Sequence, residues 1–344
     1  MAEEAAAGGA APFLPDEIII WEILVHLDQK TLFRCRAVRR AWRLVTSTRR
    51  FLLAHHARHP ALPIFPGDGL GVKYNSILAF DHRAVADAQL HTVARFDKGF
   101  DLEASCDGLL VLSQFNHATL PRTFSVCNPA TREHAYLRLP PWNFLKTLGM
   151  YLHQPTGEYR LLLQRRSFIK GLPKHQTCCY ILSLGSDRSP RSIAWPETLS
   201  AYLLNLPARL HDSLHWHPKR YESDNEPVSN ATKYVDIWVL QNYENEVWEL
   251  KYRIELPVAE FKGMFGACDD HRNVDVVLVD GGVLLLVCGY GWLLHVDCDG
   301  KLIASFRCGR RRLCMPGARL KQSLVKHTFF PALEGYAMNA PPFI

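Results

Sequence analysis

The chain has 344 residues, of which 48% are hydrophobic, and its formal net charge at pH 7 is +6. This length predicts about two domains, and the hydrophobic fraction is sufficient for a full core, so most of the chain is expected to fold. The net charge does not by itself indicate a nucleic-acid partner, and the most apolar run, residues 276–288, is interrupted and shorter than the about 20 apolar residues that span a bilayer.

Residues 1–11 are rich in Ala and Gly and have neither a basic start nor an apolar run. They do not predict a secretion signal, and we expect a short disordered lead. Without such a signal, the ten Cys residues are expected to stay reduced. The predicted localisation is therefore the cytoplasm, the nucleus or both.

Residues 14–27 predict a first helix with one apolar side. Pro15 suits the first helical position, where a missing N–H costs nothing, and Asp16 with Glu17 places negative charge at the positive end of the helix dipole. Apolar side chains then recur at helical spacing, at Ile20, Ile23, Leu24 and Leu27.

Two further helices are predicted before residue 46. Asp28 is placed to cap the second helix, whose inward residues are expected to be Leu32, Phe33 and Cys35. In the third helix, Val38, Trp42 and Val45 share one side. Three short helices with this much apolar surface are either a cap packed on their own domain or a docking end that a partner covers.

The order of residues in these helices resembles the F-box, in the form found in plants. The matching positions are Leu14, Pro15, Ile23, Leu24, Leu27, Lys30, Leu32, Arg36, Val38, Trp42 and Arg43. The chain departs from the common pattern at Asp28, where many F-boxes have Pro, and at Arg39-Arg40, where many have Cys-Lys. The first change exchanges a rigid turn for a helix cap and the second lies on a polar side, so neither replaces an apolar anchor.

The resemblance implies that these helices bind the Skp-type adaptor of a Skp–cullin–F-box ubiquitin ligase, and a cullin through that adaptor. The residues that it places toward the adaptor are Leu14, Pro15, Ile20, Ile23, Leu24, Leu27 and Leu32. The residues that it assigns to holding the three helices together are Val38, Trp42 and Val45.

The pattern changes after His59-Pro60, from helical spacing to short apolar runs separated by turn residues. Examples are residues 109–112, which follow the turn Asp107-Gly108, and residues 124–127, which precede Asn128-Pro129. Many short strands without long helices between them predict an all-β body. We therefore expect an α+β chain with a helical domain over residues 12–58, a linker over 59–74 and a β body over 75–344.

A β-propeller of about six blades would fit the length of this body, because each blade takes about 40–50 residues. A pair of β-sandwiches is the alternative architecture. Five segments resemble the F-box-associated domains of plants, namely Ser105–Leu109, Asn128–Arg132, Leu214–Trp216, Ile237–Leu240 and Trp248–Tyr252. This resemblance implies a propeller-like platform that recruits a substrate, usually without chemistry of its own.

The body offers few candidates for chemistry. His211, His215 and His217 form an H-x3-H-x-H pattern, but only Asp212 adds a carboxylate nearby, so polar residues on a strand are favoured over a metal site. The Cys residues show no C-x2-C spacing. We therefore expect no metal, no cofactor and no catalytic residue. The densest basic run, a candidate patch for a phosphorylated substrate as well as an ordinary solvated loop, contains Arg310, Arg311 and Arg312.

The sequence favours a non-catalytic substrate receptor that holds an adaptor with its helices and an unknown target protein with its β body. A propeller enzyme, either an oxidase or a glycosidase, is the second hypothesis, and it needs converging acids or metal ligands that the pattern does not reveal. A nucleic-acid binder that uses the basic helices is the third, and the apolar first helix with its Leu14-Pro15 start argues against it. No membrane partner is expected.

Overall fold

The computed structural model describes residues 14–67, 74–83, 90–114, 122–139, 145–166, 177–186, 188–193, 208–210, 213–216, 234–242, 247–255, 274–279, 282–287, 292–297, 299–307, 318–338 and 343. The chain divides into two compact units. A helical unit comprises Met1–Pro60 with Ser323–Lys326, and a β unit comprises Ala61–Gln322 with His327–Ile344. The predicted α+β class with a β-rich body is therefore confirmed.

The helical unit begins with one continuous helical segment whose geometry changes along its length. α1 spans Asp16–Ile18, a π-helical turn follows over Ile19–Ile23, and a 3-10 turn over Leu24–His26 ends the segment. Three further helices are α2 over Gln29–Val38, α3 over Arg40–Thr46 and α4 over Arg49–Arg58.

Side-chain caps explain where α2 and α4 begin. The Asp28 carboxylate accepts a hydrogen bond from the backbone N–H of Thr31 at 3.1 Å, and the Thr48 hydroxyl accepts one from the N–H of Phe51 at 3.3 Å. Each oxygen satisfies one of the N–H groups that a helix leaves without a partner in its first turn. The cap predicted at Asp28 is confirmed.

The interior of the helical unit is small and apolar. Its buried side chains include Ile20, Leu24, Val25, Leu32 and Phe51. The segment Ser323–Lys326 belongs to the same unit, and its Leu324 and Val325 are buried. The helical unit is therefore assembled from two regions that are distant in sequence.

The β unit has twenty strands in the described part of the chain. The first ten are β1 Leu62–Gly67, β2 Tyr74–Phe80, β3 Leu90–Cys106, β4 Leu109–Gln114, β5 Thr123–Asn128, β6 Glu133–Leu137, β7 Leu145–His153, β8 Glu158–Arg166, β9 Thr177–Ser183 and β10 Arg191–Ile193. The other ten are β11 Ala208–Leu210, β12 Ser213–Trp216, β13 Tyr234–Asn242, β14 Val247–Glu255, β15 Val274–Val279, β16 Gly282–Val287, β17 Trp292–Asp297, β18 Leu302–Arg307, β19 Arg319–Leu320 and β20 Glu334–Met338.

These strands form four antiparallel sheets in the residues that the structure describes. The largest has eight strands in the order β19-β1-β2-β3-β4-β5-β6-β20, and the others have the orders β10-β9-β8-β7, β11-β12-β13-β14 and β15-β16-β17-β18. The 17-residue strand β3 serves two parts of the large sheet, because its first part pairs with β2 and its second part, from Asp101, pairs with β4.

Tight turns connect strands at predicted positions. Asp107 and Gly108 join β3 to β4 with φ of 48° and 90°, and positive φ at both positions suits a two-residue hairpin. After β5, the Asn128 side chain accepts a hydrogen bond from the N–H of Ala130 at 3.0 Å and closes the next turn. These turns were predictable because the residues within each turn stabilise it.

The linker predicted over residues 59–74 is wrong in part. Residues 62–67 form β1, which pairs with β2 on one edge and with β19 on the other. Pro63 and Pro66 weaken the sequence pattern of a strand, since Pro has no N–H for the ladder. The pairing that makes this segment a strand comes from β19, far along the chain, and not from local sequence.

Strand β8 is buried on both of its faces. Leu161, Leu162 and Leu163 are each fully buried, although successive side chains of a strand point to opposite sides of the sheet. Leu161 and Leu163 belong to an apolar cluster that also contains Phe330. The sheet that contains β8 is therefore covered on both sides.

Candidate partner-binding surface

Among the residues whose side chains the structure describes, most of the exposed large apolar ones lie in the helical unit. Ten large apolar side chains are exposed in the described residues, and seven of them lie in this unit. These seven, which we call the exposed apolar set, are Leu14, Ile18, Ile23, Phe33, Val38, Leu44 and Leu53. Single exposed apolar residues are ordinary, but this concentration within residues 14–53 marks a surface that a partner can cover.

The first helical segment presents part of the predicted adaptor surface. Leu14 is 56% exposed and Ile23 is 43% exposed, and Pro15 is exposed as well. Leu27, which follows the end of the segment, is half-buried. Ile18 belongs to the same segment and is exposed, although it is not among the predicted adaptor-binding residues.

Three residues expected to contact the adaptor lie inside the helical unit instead. Ile20, Leu24 and Leu32 are only 5%, 2% and 0% exposed. Ile20 and Leu24 were misplaced because the π turn over Ile19–Ile23 departs from the 3.6-residue period on which the prediction was based. Phe33 is the reverse case: it was expected to face inward on α2 and is exposed.

Val38 was expected to hold the helices together, but it is 76% exposed. α2 ends at Val38 and the next residue, Arg39, is extended with φ of −141°, so the spacing to Trp42 and Val45 does not run along one helix. Trp42 and Val45 are half-buried. The Trp42 indole N–H donates a hydrogen bond to the Asp16 carboxylate at 3.3 Å, so Trp42 connects α3 to α1.

Arginine side chains also connect the helices. Arg36 on α2 donates hydrogen bonds to the hydroxyl and to the carbonyl oxygen of Thr46, the last residue of α3, and the bond to the hydroxyl is 2.9 Å long. Burial lowers the pKa of the Arg36 guanidinium. Arg39 forms an ion pair with Asp16 at the start of α1. Arg36, one of the F-box-like positions, therefore has a structural role inside this unit.

Two histidines, His55 of α4 and His59 just after that helix, meet the end of the first helical segment. His55 Nε2 lies 2.9 Å from the Leu27 carbonyl oxygen, His59 Nε2 lies 3.1 Å from the same oxygen, and the two Nε2 atoms are 2.9 Å apart. Burial is the main reason that the pKa of His55 is lowered to about 4, and the charge of His59 is the second reason. The His55 imidazole is therefore neutral near pH 7.

The β unit contains buried polar groups. The Glu103 carboxylate accepts hydrogen bonds from the Ser113 hydroxyl at 2.6 Å and from the Arg122 guanidinium at 2.8 Å, and burial raises the pKa of this carboxyl group. The rings of His82 and His295 lie edge to face with centres 5.0 Å apart, and burial lowers the pKa of His82 to about 4. These groups connect strands and loops within the β unit.

Most of the site residues predicted for the β body lie outside the residues that the structure describes. Arg310, Arg311, Arg312, His211 and His217 lie outside the described residues, and His215 lies on β12. In the ranges that the structure describes, no group of three or more His, Cys, Asp or Glu is arranged to hold a metal ion, and no helix has the length and apolar character that crossing a membrane requires.

No protein-family model and no curated protein matches the chain.

Proposed function

We propose that this chain is the substrate-recognition subunit of a Skp–cullin–F-box ubiquitin ligase and that it performs no chemistry itself. The resemblance of residues 14–43 to the F-box supports the proposal. The observation that carries it is that, of the ten large apolar side chains described as exposed, seven lie in the helical unit. A helical cap that served only its own domain would turn such side chains inward.

The proposed adaptor contact is the first helical segment. Leu14, Ile18 and Ile23 are each about half exposed, and Pro15 with Leu27 extends the surface at its two ends. Because complete burial of such a side chain contributes about 1.5–3 kcal/mol, covering the exposed half contributes about 1 kcal/mol at each position. Leu53 and Leu44 supply further apolar surface in α4 and α3.

The β unit is proposed to be a propeller-like platform for the target protein. The eight-stranded sheet can be divided into a group of four strands, β19-β1-β2-β3, and a group of five, β3-β4-β5-β6-β20, which share β3. With the other three sheets, the described strands make five groups. Pairing of β19 with β1 joins the end of the unit to its beginning, which supports a closed ring. The two buried faces of β8 are also expected of a blade between two others. This arrangement has five blades, in place of the about six estimated from length.

In this proposal the chain acts by holding two other proteins close together. The helical unit holds the adaptor, the β unit holds the target, and a lysine of the target is brought close to a ubiquitin-conjugating enzyme on the same complex. Tethering raises the effective concentration of the two reactants without a catalytic residue from this chain. The target is a protein of unknown identity, and Arg310, Arg311 and Arg312 stay a candidate patch for a phosphorylated one.

Binding of the full chain to a purified Skp-type adaptor tests the proposal. For the double variant Leu14→Ala/Ile23→Ala we expect an about 30-fold loss of affinity, because about 1 kcal/mol is lost at each position. Ile303→Ala is the matched control, since Ile303 is 53% exposed but lies on β18. If the folded double variant binds as tightly as the control, the proposed surface is refuted. If the unaltered chain does not bind the adaptor at all, the proposed function is refuted.

A further inference from the structure

Three hydrogen-bonding atoms converge where α4 meets the end of the first helical segment. They are Nε2 of His55, Nε2 of His59 and the carbonyl oxygen of Leu27, and the three distances between them are 2.9, 3.1 and 2.9 Å. His55 lies on α4, and His59, four residues further on, is the extended residue that follows the end of that helix. Their ring centres are 4.1 Å apart. His55 is fully buried.

Hydrogen bonds alone do not suit this arrangement of three atoms. The Leu27 oxygen is only an acceptor, and each neutral imidazole has one N–H and one lone pair. If one Nε2 carries a proton, that single proton must serve two short contacts, and the other Nε2 still faces the carbonyl oxygen with its lone pair. If both carry protons, two N–H groups face each other across 2.9 Å. A cation between the three atoms would satisfy all three lone pairs at once.

We propose that His55, His59 and the Leu27 carbonyl oxygen bind a divalent transition-metal ion of the zinc type. Neutral imidazole nitrogen is a common zinc ligand, and both Nε2 atoms lie within 3.1 Å of the Leu27 carbonyl oxygen. An ion about 2.1 Å from each atom would sit about 1.2 Å outside the plane of the triangle. Tetrahedral zinc ligands are separated by about 3.4 Å, so the rings need to open by only about 0.5 Å.

The surrounding charges decide which ions this site can take. In the described part of the chain, the charges that act on His55 come from His59, Arg36 and His56, and no acidic residue is among them. Two of the three donor atoms are imidazole nitrogens, which Zn²⁺, Cu²⁺ and Ni²⁺ accept, whereas Mg²⁺ and Ca²⁺ prefer oxygen ligands. Bound metal would join α4 to the residue that ends the first helical segment. The site does not depend on the proposed function.

Titration of the full chain with Zn²⁺ against a chromophoric chelator, under reducing conditions, tests the site. The thiols of the chain bind zinc too, so the measurement is the difference in bound equivalents between matched proteins. His59→Ala should bind one equivalent fewer than the unaltered chain. His56→Ala, which changes the next half-buried histidine of α4, should keep that equivalent. Equal stoichiometry in the unaltered chain and His59→Ala, or the same loss in both variants, would overturn the proposal.

A second measurement needs no variant, in case His59→Ala does not fold. Long-range ¹H–¹⁵N spectra of the histidine rings report which ring nitrogen binds a metal. On addition of Zn²⁺ we expect the Nε2 signals of two histidines to shift together while their Nδ1 signals keep the character of N–H groups. If no pair of Nε2 signals shifts together, the triangle holds only a shared proton and the proposal is refuted.

Discussion

Replacing Leu32 with Ala should impair adaptor binding by unfolding the helical unit, and not by removing a contact with the adaptor. Leu32 is 0% exposed, and replacing a fully buried Leu with Ala costs about 2.7–5 kcal/mol. A unit of about 50 residues has a total stability of about 2.5–7.5 kcal/mol, at about 0.05–0.15 kcal/mol per residue. The substitution is therefore expected to remove at least about a third of the stability of this unit, and all of it at the lower end of that range.

Hydrogen exchange and an osmolyte distinguish unfolding from a lost contact. For Leu32→Ala we expect faster amide exchange in α2, and a loss of adaptor affinity that trimethylamine oxide recovers, since this osmolyte favours the compact state. Ile23→Ala is the matched comparison because Ile23 is 43% exposed. Its amide exchange should stay slow, and its loss of affinity should not be recovered.

The opposite result would contradict the burial argument. If Leu32→Ala kept slow exchange in α2 and lost adaptor affinity that the osmolyte did not recover, Leu32 would have to contact the adaptor directly, as the sequence alone predicted. If the osmolyte restored binding to Ile23→Ala, that side chain would have to act through stability and not through the surface.

Three further predictions concern the β unit. The pKa of His82 is lowered from 6.5 to about 4 in the folded chain. As the pH falls, the unfolded chain therefore protonates His82 before the folded chain does. The β unit should therefore lose up to about 3 kcal/mol as pH falls from 6.5 to 4, and urea unfolding of His82→Leu should lack that slope. Arg122→Ala leaves the buried Glu103 carboxylate without its guanidinium and should lower the free energy of unfolding by about 2 kcal/mol, a loss that adding Glu103→Gln partly reverses. Gly157→Ala should cost only about 1 kcal/mol from its positive φ, whereas Gly300→Ala should lower the unfolding midpoint further because its Cβ would lie 2.2 Å from a backbone carbonyl oxygen.

Features that depend on neighbouring residues were predicted correctly. The cap at Asp28, the turn at Asp107-Gly108 and the strand that follows that turn are stabilised by residues within a few positions of each other. Strand β1 was missed for the opposite reason, because its partner β19 comes from near the other end of the chain. The pattern also could not reveal that β3 is long enough to serve two parts of one sheet.

The candidate surface was predicted less well than the strands. Leu14 and Ile23 are exposed as expected, but Ile20 and Leu24 are buried. A helical wheel assumes one period, and the π turn over Ile19–Ile23 breaks that period without any Pro or Gly to signal it. The meeting of His55 with the Leu27 carbonyl oxygen was equally hidden, since a backbone oxygen has no signature in the sequence.

The stability of the helical unit also depends on residues that no F-box-like pattern contains. Leu324 and Val325 belong to this unit and are only 5% and 6% exposed. Burying two such side chains contributes about 3–6 kcal/mol in gross terms, which is comparable to the about 2.5–7.5 kcal/mol expected for the net stability of a unit of this size. A fragment that ends at Pro60 lacks this contribution. The surface proposed to bind the adaptor is therefore expected to be less stable in a fragment that ends at Pro60 than in a chain that continues through Ser323–Lys326.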